Sequence, residues 1–298
     1  MAGGADQASA DAGTNVQNLN GVRIGVVGAG LMGRGVSFRF AKFGATVTLI
    51  DRDEAALQEA HKALRNIARH DVLFNQARES LQTPERIHLT TELESLAECA
   101  FVVENITENI EAKQALYGRM KPILNEECVL AVNTSAISIT RLAALLADPA
   151  RVLGIHFMNP VHMKHTAEMI RGFHTTEASL AFAQSILARA GMEAVVVNDL
   201  PGFVSNRVLM LTVNEAIFTV QDGVATPEDV DRIFRECFGH PMGPLATGDL
   251  IGLDTILYTL DVLLEAYNDP KFRPAPLLRK MVDAGLLGRK SGKGFFAY

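Results

Sequence analysis

The chain has no Trp, and its 3 Cys are widely spaced. Cys99, Cys128 and Cys237 form no C-x-x-C pair, so a disulfide framework and a cysteine-based zinc site are both excluded. The thiols read as reduced, as in a cytoplasmic enzyme, and no metal site is expected. No apolar run approaches the roughly 20 residues of a membrane span. There is no excess of basic charge either. The 28 Lys and Arg are outnumbered by 34 Asp and Glu, for a net charge of −6, which gives no electrostatic reason to expect nucleic acid or an anionic membrane as partner. Residues 1–20 lack a basic n-region and an apolar h-region, so they are not a secretory signal, and they contain no Arg, unlike an organelle transit peptide. They also hold too little apolar surface to fold, and they are expected to form a disordered lead. No internal repeat or low-complexity tract follows.

What remains is an ordinary globular composition on 298 residues, enough for one or two domains. Strand-like runs at 22–27, 46–50, 87–89, 101–104, 128–132, 152–156 and 193–197 alternate with helix-like segments at 31–43, 53–71, 109–124, 139–146 and 176–190. That alternation predicts an α/β fold with a parallel, doubly wound Rossmann-type sheet over residues 21–200. Asn198-Asp199-Leu200-Pro201-Gly202 breaks the pattern. The remainder, 201–298, reads as an all-helical C-terminal domain with helices at 202–222, 227–236, 247–267 and 275–285. Thr226-Pro227-Glu228-Asp229 supplies a cap, a first-turn proline and acids for one of them. Ligands of such sheets lie at the carboxyl ends of the strands, so the reaction site is expected between the two domains.

The first strand runs directly into Gly28-Ala29-Gly30-Leu31-Met32-Gly33. Gly28 permits the tight turn, Gly30 lets a pyrophosphate approach the backbone, and Gly33 lets the next helix pack close to the strand. The helix N-terminus turns free N–H groups and a positive dipole end toward phosphate. Asp51 ends the second apolar run, where a carboxylate accepts hydrogen bonds from the adenosine ribose. It favours NAD over NADP, because a carboxylate repels a 2′-phosphate. Arg52, its neighbour, pulls the other way.

Polar clusters stand where later strands should end: Asn133-Thr134-Ser135, then His156-Phe157-Met158-Asn159-Pro160, then Glu168. Ser205-Asn206-Arg207 lies at the start of the helical region. Removing hydride from an alcohol needs a base for the hydroxyl proton, and histidine titrates in the right range. A carboxylate on the other ring nitrogen would fix the tautomer. Spacing alone leaves plainer readings open: His156 as a structural histidine, Asn159 as a turn former before Pro160, Ser135 as a helix cap.

Taken together, these stretches resemble the 3-hydroxyacyl-CoA dehydrogenases, including bacterial 3-hydroxybutyryl-CoA dehydrogenases. The resemblance runs from Gly21 to Tyr298 and includes Glu168-Met169-Ile170-Arg171-Gly172, Pro201-Gly202-Phe203-Val204-Ser205-Asn206-Arg207, Gly239-His240-Pro241-Met242-Gly243-Pro244 and Gly288-Arg289-Lys290-Ser291-Gly292-Lys293-Gly294-Phe295. It implies an NAD-dependent interconversion of 3-hydroxyacyl and 3-oxoacyl thioesters. His156 would be the base and Glu168 its orienting partner. Ser135 and Asn206 would hold the substrate oxygen and thioester. Gly28, Gly30, Leu31, Met32, Gly33, Asp51, Glu108, Lys113, Ser135, Asn159 and Lys290 would contact the cofactor. A homodimer is implied as well, with Gly239–Pro244 and Asp249–Asp254 packing the helical domain and the dimer interface.

Two departures bear on the thioester. Before Glu168 the chain reads Met163-Lys164-His165-Thr166-Ala167, more polar than the family's usual apolar pair. The segment Arg65–Phe74 lacks the lysines that the family places near the CoA nucleotide. Both features, with Val204–Met210, resemble a subgroup that acts on hydroxyacyl or glyceryl groups carried by acyl carrier protein in polyketide extender-unit pathways. Arg65 and Arg69 are then candidate contacts for an acidic carrier. A dehydrogenase of the 6-phosphogluconate or 3-hydroxyisobutyrate type would use a lysine as its acid/base, whereas His156 and Glu168 favour the hydroxyacyl reading. A non-catalytic, crystallin-like protein would not need the intact Ser135, His156, Glu168 and Asn206 set.

Overall fold

The structure is a computed structural model and describes residues 18–75, 78–135 and 137–298. Its frame is an eight-stranded sheet of β1 (Arg23–Val27), β2 (Thr46–Ile50), β3 (Ile87–Thr90), β4 (Phe101–Glu104), β5 (Val129–Val132), β6 (Val152–His156), β7 (Thr166–Arg171) and β8 (Glu193–Asn198). The order across the sheet is β3-β2-β1-β4-β5-β6-β7-β8. The central strands β4, β5 and β6 are buried at every position, as expected for strands covered on both faces. Helices α1 (Leu31–Lys42), α2 (Glu54–Asn75), α3 (Ile110–Met120), α4 (Ile139–Ala143) and α5 (Glu177–Arg189) provide that cover. One face packs Val26, Phe101 and Val103 with Val36 and Phe40 of α1. The other packs Val102, Leu130 and Val132 with Tyr117 of α3 and Leu142 of α4.

The expectation of a wholly parallel sheet needs correction at one place. β7, which the sequence pattern did not reveal, runs antiparallel to β6 and parallel to β8. The cause is the short connection over residues 157–165. A parallel return needs a crossover of about a dozen residues or more, so the chain turns back on itself instead. This pairing sets His156 directly opposite Glu168.

Beyond Asp199 the main elements are helices, α6 (Ser205–Gln221), α7 (Pro227–Phe238), α8 (Pro244–Ile251), α9 (Leu253–Tyr267) and α10 (Pro276–Asp283), followed by a tail with two isolated β-bridges, Gly288 to Lys293 and Lys293 to Ala297. These helices enclose their own core around Val213, Ile217, Leu245, Ile256, Leu260 and Leu278. The single helix expected over 247–267 is two, broken at Gly252, whose φ of +106° interrupts the helix. The expected disordered lead also needs correction in part. Residues 1–17 lie outside the described residues, but Leu19 is fully buried and its N–H donates to the Phe43 carbonyl at 2.7 Å.

Candidate active site

At the carboxyl end of β1 the chain enters α1 through the glycine turn. Gly28 has φ +102°, and a Cβ there would lie 2.7 Å from the Asn105 carbonyl oxygen. A Cβ on Gly33 would lie 1.8 Å from the Gly28 carbonyl oxygen, so that glycine sets the close packing of helix on turn. Gly30 is different: a Cβ there would meet nothing within 4 Å. Its open side is where an approaching ligand needs bare backbone. Gly30 caps α1 without any side-chain hydrogen bond, and the first turn holds no acid, which leaves the positive helix end available to an anion. Leu31 is exposed there and Met32 half-buried. Beside the turn opens a cavity of about 500 Å³, walled by Gly28–Gly30, Arg34, Asp51–Asp53, Asn105–Thr107, Ala112 and Arg119 among others. Asp51 accepts from Ala29 N–H at 2.8 Å through Oδ2 and from Asp53 N–H at 3.1 Å through Oδ1. A carboxylate has about four acceptor positions, so two remain for ribose hydroxyls. Bare glycine, free helix end and acid fit a dinucleotide.

At the carboxyl ends of β5 and β6 lies a second group of polar side chains. His156 is 8% exposed. Its Nδ1 lies 2.9 Å from Glu168 Oε2, and its Nε2 lies 3.4 Å from Ser135 Oγ. Burial raises the Glu168 pKa, but hydrogen bonds from His156 and from the Ser205 hydroxyl and N–H outweigh it and bring the value to about 2. Glu168 is therefore a carboxylate at neutral pH and can only accept. The proton between it and the imidazole sits on Nδ1, which leaves the Nε2 lone pair free on the Ser135 side. Asn206, in the first turn of α6, donates from Nδ2 to the Ser135 carbonyl at 3.0 Å. Ser135, His156, Glu168 and Asn206 are thus brought together.

The remaining expected contacts fall at different depths. Glu108 accepts from Ser135 N–H at 2.9 Å and Thr134 Oγ1 at 2.5 Å, so it shapes the turn that presents Ser135. Asn159 is exposed, next to the β6 end. Lys290 is paired with Asp254. Lys113 stands apart from the cavity wall. It is fully buried, with Nζ 2.7 and 2.8 Å from the two Glu104 oxygens, and Tyr117 donates to the same carboxylate at 2.6 Å. His165 and Thr166 are exposed and take no part in the hydrogen bonds around His156.

Sequence reasoning missed Ser205 and the Glu104–Lys113–Tyr117 cluster. Glu104 ends an otherwise apolar strand, and that acid at a buried position was the available signal. Ser205 stands in the polar cluster with Asn206 and Arg207, and nothing in the sequence pattern sets it apart from them. Among the described residues, no group of three or more His, Cys, Asp or Glu is arranged to hold a metal ion, and no helix is long and apolar enough to cross a membrane.

Glycine turn, Asp51 and doubly wound sheet define the class as an NAD-dependent dehydrogenase. A family model for the NAD-binding domain of 3-hydroxyacyl-CoA dehydrogenase matches residues 23–200, and one for the C-terminal domain matches residues 202–298. The chain therefore belongs to the 3-hydroxyacyl-CoA dehydrogenase family, and it is an NAD-dependent oxidoreductase acting on 3-hydroxyacyl thioesters. It is 43% identical over 281 residues to a probable 3-hydroxybutyryl-CoA dehydrogenase of Deinococcus radiodurans, covering 93% of this chain and 100% of that one. It is 42% identical over 278 residues to a probable 3-hydroxybutyryl-CoA dehydrogenase of Bacillus subtilis, covering 93% and 97%. The crystal structure of (S)-3-hydroxybutyryl-CoA dehydrogenase from Ralstonia eutropha superposes with a TM-score of 0.89 at 37% identity, covering 93% and 98%.

Proposed function

We propose that this enzyme interconverts a short-chain 3-hydroxyacyl-CoA and its 3-oxoacyl-CoA, with His156 as the acid/base. The observation that carries the assignment is the His156–Glu168 pair, with one ring nitrogen held by a carboxylate and the other left to face Ser135. In the oxidative direction His156 Nε2 takes the proton of the 3-hydroxyl, and Glu168 stabilises the imidazolium that forms. NAD, when bound, supplies the acceptor for the hydride leaving the same carbon. In the reductive direction the imidazolium returns its proton to the new alkoxide. The Ser135 hydroxyl and the Asn206 amide flank the place of the reacting oxygen and thioester. Asp51, the glycine turn and the walls of the adjoining cavity hold the adenosine end.

The names of the relatives favour a CoA thioester. The exposed Arg65 and Arg69 of α2 leave a carrier-protein thioester as the second reading, since acidic carriers seek basic surfaces. NADH oxidation with acetoacetyl-CoA, run beside the same acyl group loaded on an acyl carrier protein, separates them. The expected result is rapid turnover of acetoacetyl-CoA. Slow turnover with CoA and fast turnover with the carrier would instead assign the enzyme to carrier-bound substrates. Arg65→Glu with Arg69→Glu should then depress the carrier reaction alone.

A further inference from the structure

We propose that Ser205 is a positioning residue of this reaction, a hydroxyl that bridges His156 and Glu168 and holds the imidazole with Nε2 toward the substrate. The proposal rests on His156 being the acid/base.

Ser205 Oγ lies 2.5 Å from Glu168 Oε2 and 3.2 Å from His156 Nδ1. A hydroxyl has one proton and two lone pairs. Glu168 can only accept, so the Ser205 proton goes to Oε2. What Ser205 then offers to the imidazole is a lone pair, which only a protonated Nδ1 can use. The Nδ1–H is therefore shared between Glu168 and Ser205, and the other tautomer would leave a nitrogen lone pair facing two acceptors.

Glu168 is correspondingly filled. Oε2 receives Nδ1–H and the Ser205 hydroxyl, while Oε1 receives the N–H groups of Val204 and Ser205 at 3.0 and 2.9 Å. Four donors occupy its roughly four acceptor positions, so the carboxylate is fixed in rotation as well as in charge. A serine in the first turn of a helix commonly caps its own backbone, but the start of α6 has no side-chain cap. The hydroxyl is directed at Glu168 instead. The Phe203 ring, 6.0 Å from the imidazole centroid, closes the site from the same segment. Asn206 follows directly, on the Ser135 carbonyl. One turn of chain thus sets the tautomer, fills the carboxylate and ties Asn206 to the Ser135 carbonyl.

The test is steady-state reduction of acetoacetyl-CoA by Ser205→Ala, Ser205→Cys and Ser205→Thr, alone and combined with Glu168→Gln, with NADH binding followed by fluorescence. Ser205→Ala should lower kcat about tenfold, the value of one hydrogen bond to a charged group. The KM and the affinity for NADH should stay within about twofold, because the partners of the hydroxyl are Glu168 and His156. Ser205→Cys should fall in the same direction, and Ser205→Thr should restore most of kcat. In the Glu168→Gln background the alanine change should cost less than about twofold, since both residues act through one imidazole. Wild-type kcat in Ser205→Ala, an equal loss in the Glu168→Gln background, or a loss carried by NADH affinity would each overturn the proposal. His156→Gln serves as the separate control. If that variant keeps wild-type turnover, the acid/base assignment itself fails, whatever Ser205 does.

Discussion

Glu168 is where the chemistry of single residues is densest. It sits on an inner strand of the sheet, yet four donors hold it ionised, with a pKa of about 2 against an ordinary 4.5. A carboxylate whose pKa is lowered on folding adds stability above its unfolded pKa and loses it as pH falls through the folded value. That contribution should be complete above about pH 4.5 and vanish toward pH 2. In an acid titration followed by circular dichroism, Glu168→Gln should flatten the part of the unfolding curve in that window. An unchanged curve would mean that Glu168 contributes nothing to acid stability. The sequence made Glu168 and His156 legible because both stand in recognisable stretches. Ser205 was hidden because a serine opening a helix already has an ordinary explanation, and only the direction of its hydroxyl removes it. Lys113 shows the opposite case. Its position suggested a cofactor contact, but nothing in the one-dimensional pattern says that Glu104, nine positions earlier, turns back to meet its ammonium.

Among the elements, β4 and α3 are joined by that buried cluster. Glu104 Oε1 also accepts from Ile106 N–H at 2.7 Å, so the same carboxylate ties the end of β4, the turn leading to Glu108, and α3. Burial, with Glu104 close by, pushes the Tyr117 phenol well above its usual value, so it remains a donor. Lys113→Met would remove the ammonium that pairs with Glu104 in the core and leave that buried carboxyl with the Tyr117 hydroxyl and Ile106 N–H as donors, and it should cost about 3–5 kcal/mol in a denaturant titration. Combining it with Glu104→Leu should recover much of that loss, because an apolar pair can replace a buried ion pair of similar volume. A Lys113→Met protein of normal stability but weakened NADH binding would instead give Lys113 the cofactor contact that the family resemblance implies. The central strands were readable as unbroken apolar runs. β7 was not, because Glu168 interrupts Thr166–Arg171 with the residue that gives the strand its function. The break at Gly252 was missed for a related reason: apolar spacing continues through it, and only backbone conformation divides α8 from α9.

At the scale of the molecule, the segment entering α6 joins the helical region to the sheet: Phe203 packs into the sheet's core, Asn206 donates to Ser135, and the Val204 and Ser205 N–H groups and the Ser205 hydroxyl donate to Glu168. The helical region also exposes Val224, Phe238, Leu250 and Tyr258 to between 52% and 75%. A homodimer, expected from the sequence, would cover side chains of this kind, and sedimentation velocity should then give the mass of two chains; the mass of one at micromolar concentration would refute it. The reversal between β6 and β7 has a consequence for how such a protein tolerates change in length. His156 and Glu168 face each other across a ladder whose side chains alternate with a period of two. An insertion or deletion within the 157–165 connection can be absorbed there, before the ladder resumes at Glu168. A single-residue insertion between Glu168 and Met169 would move the carboxylate one position along the ladder and swing it to the far face of the sheet, with every side chain still present in the sequence. Here it is the count of residues, as much as their identity, that keeps the base and its partner together.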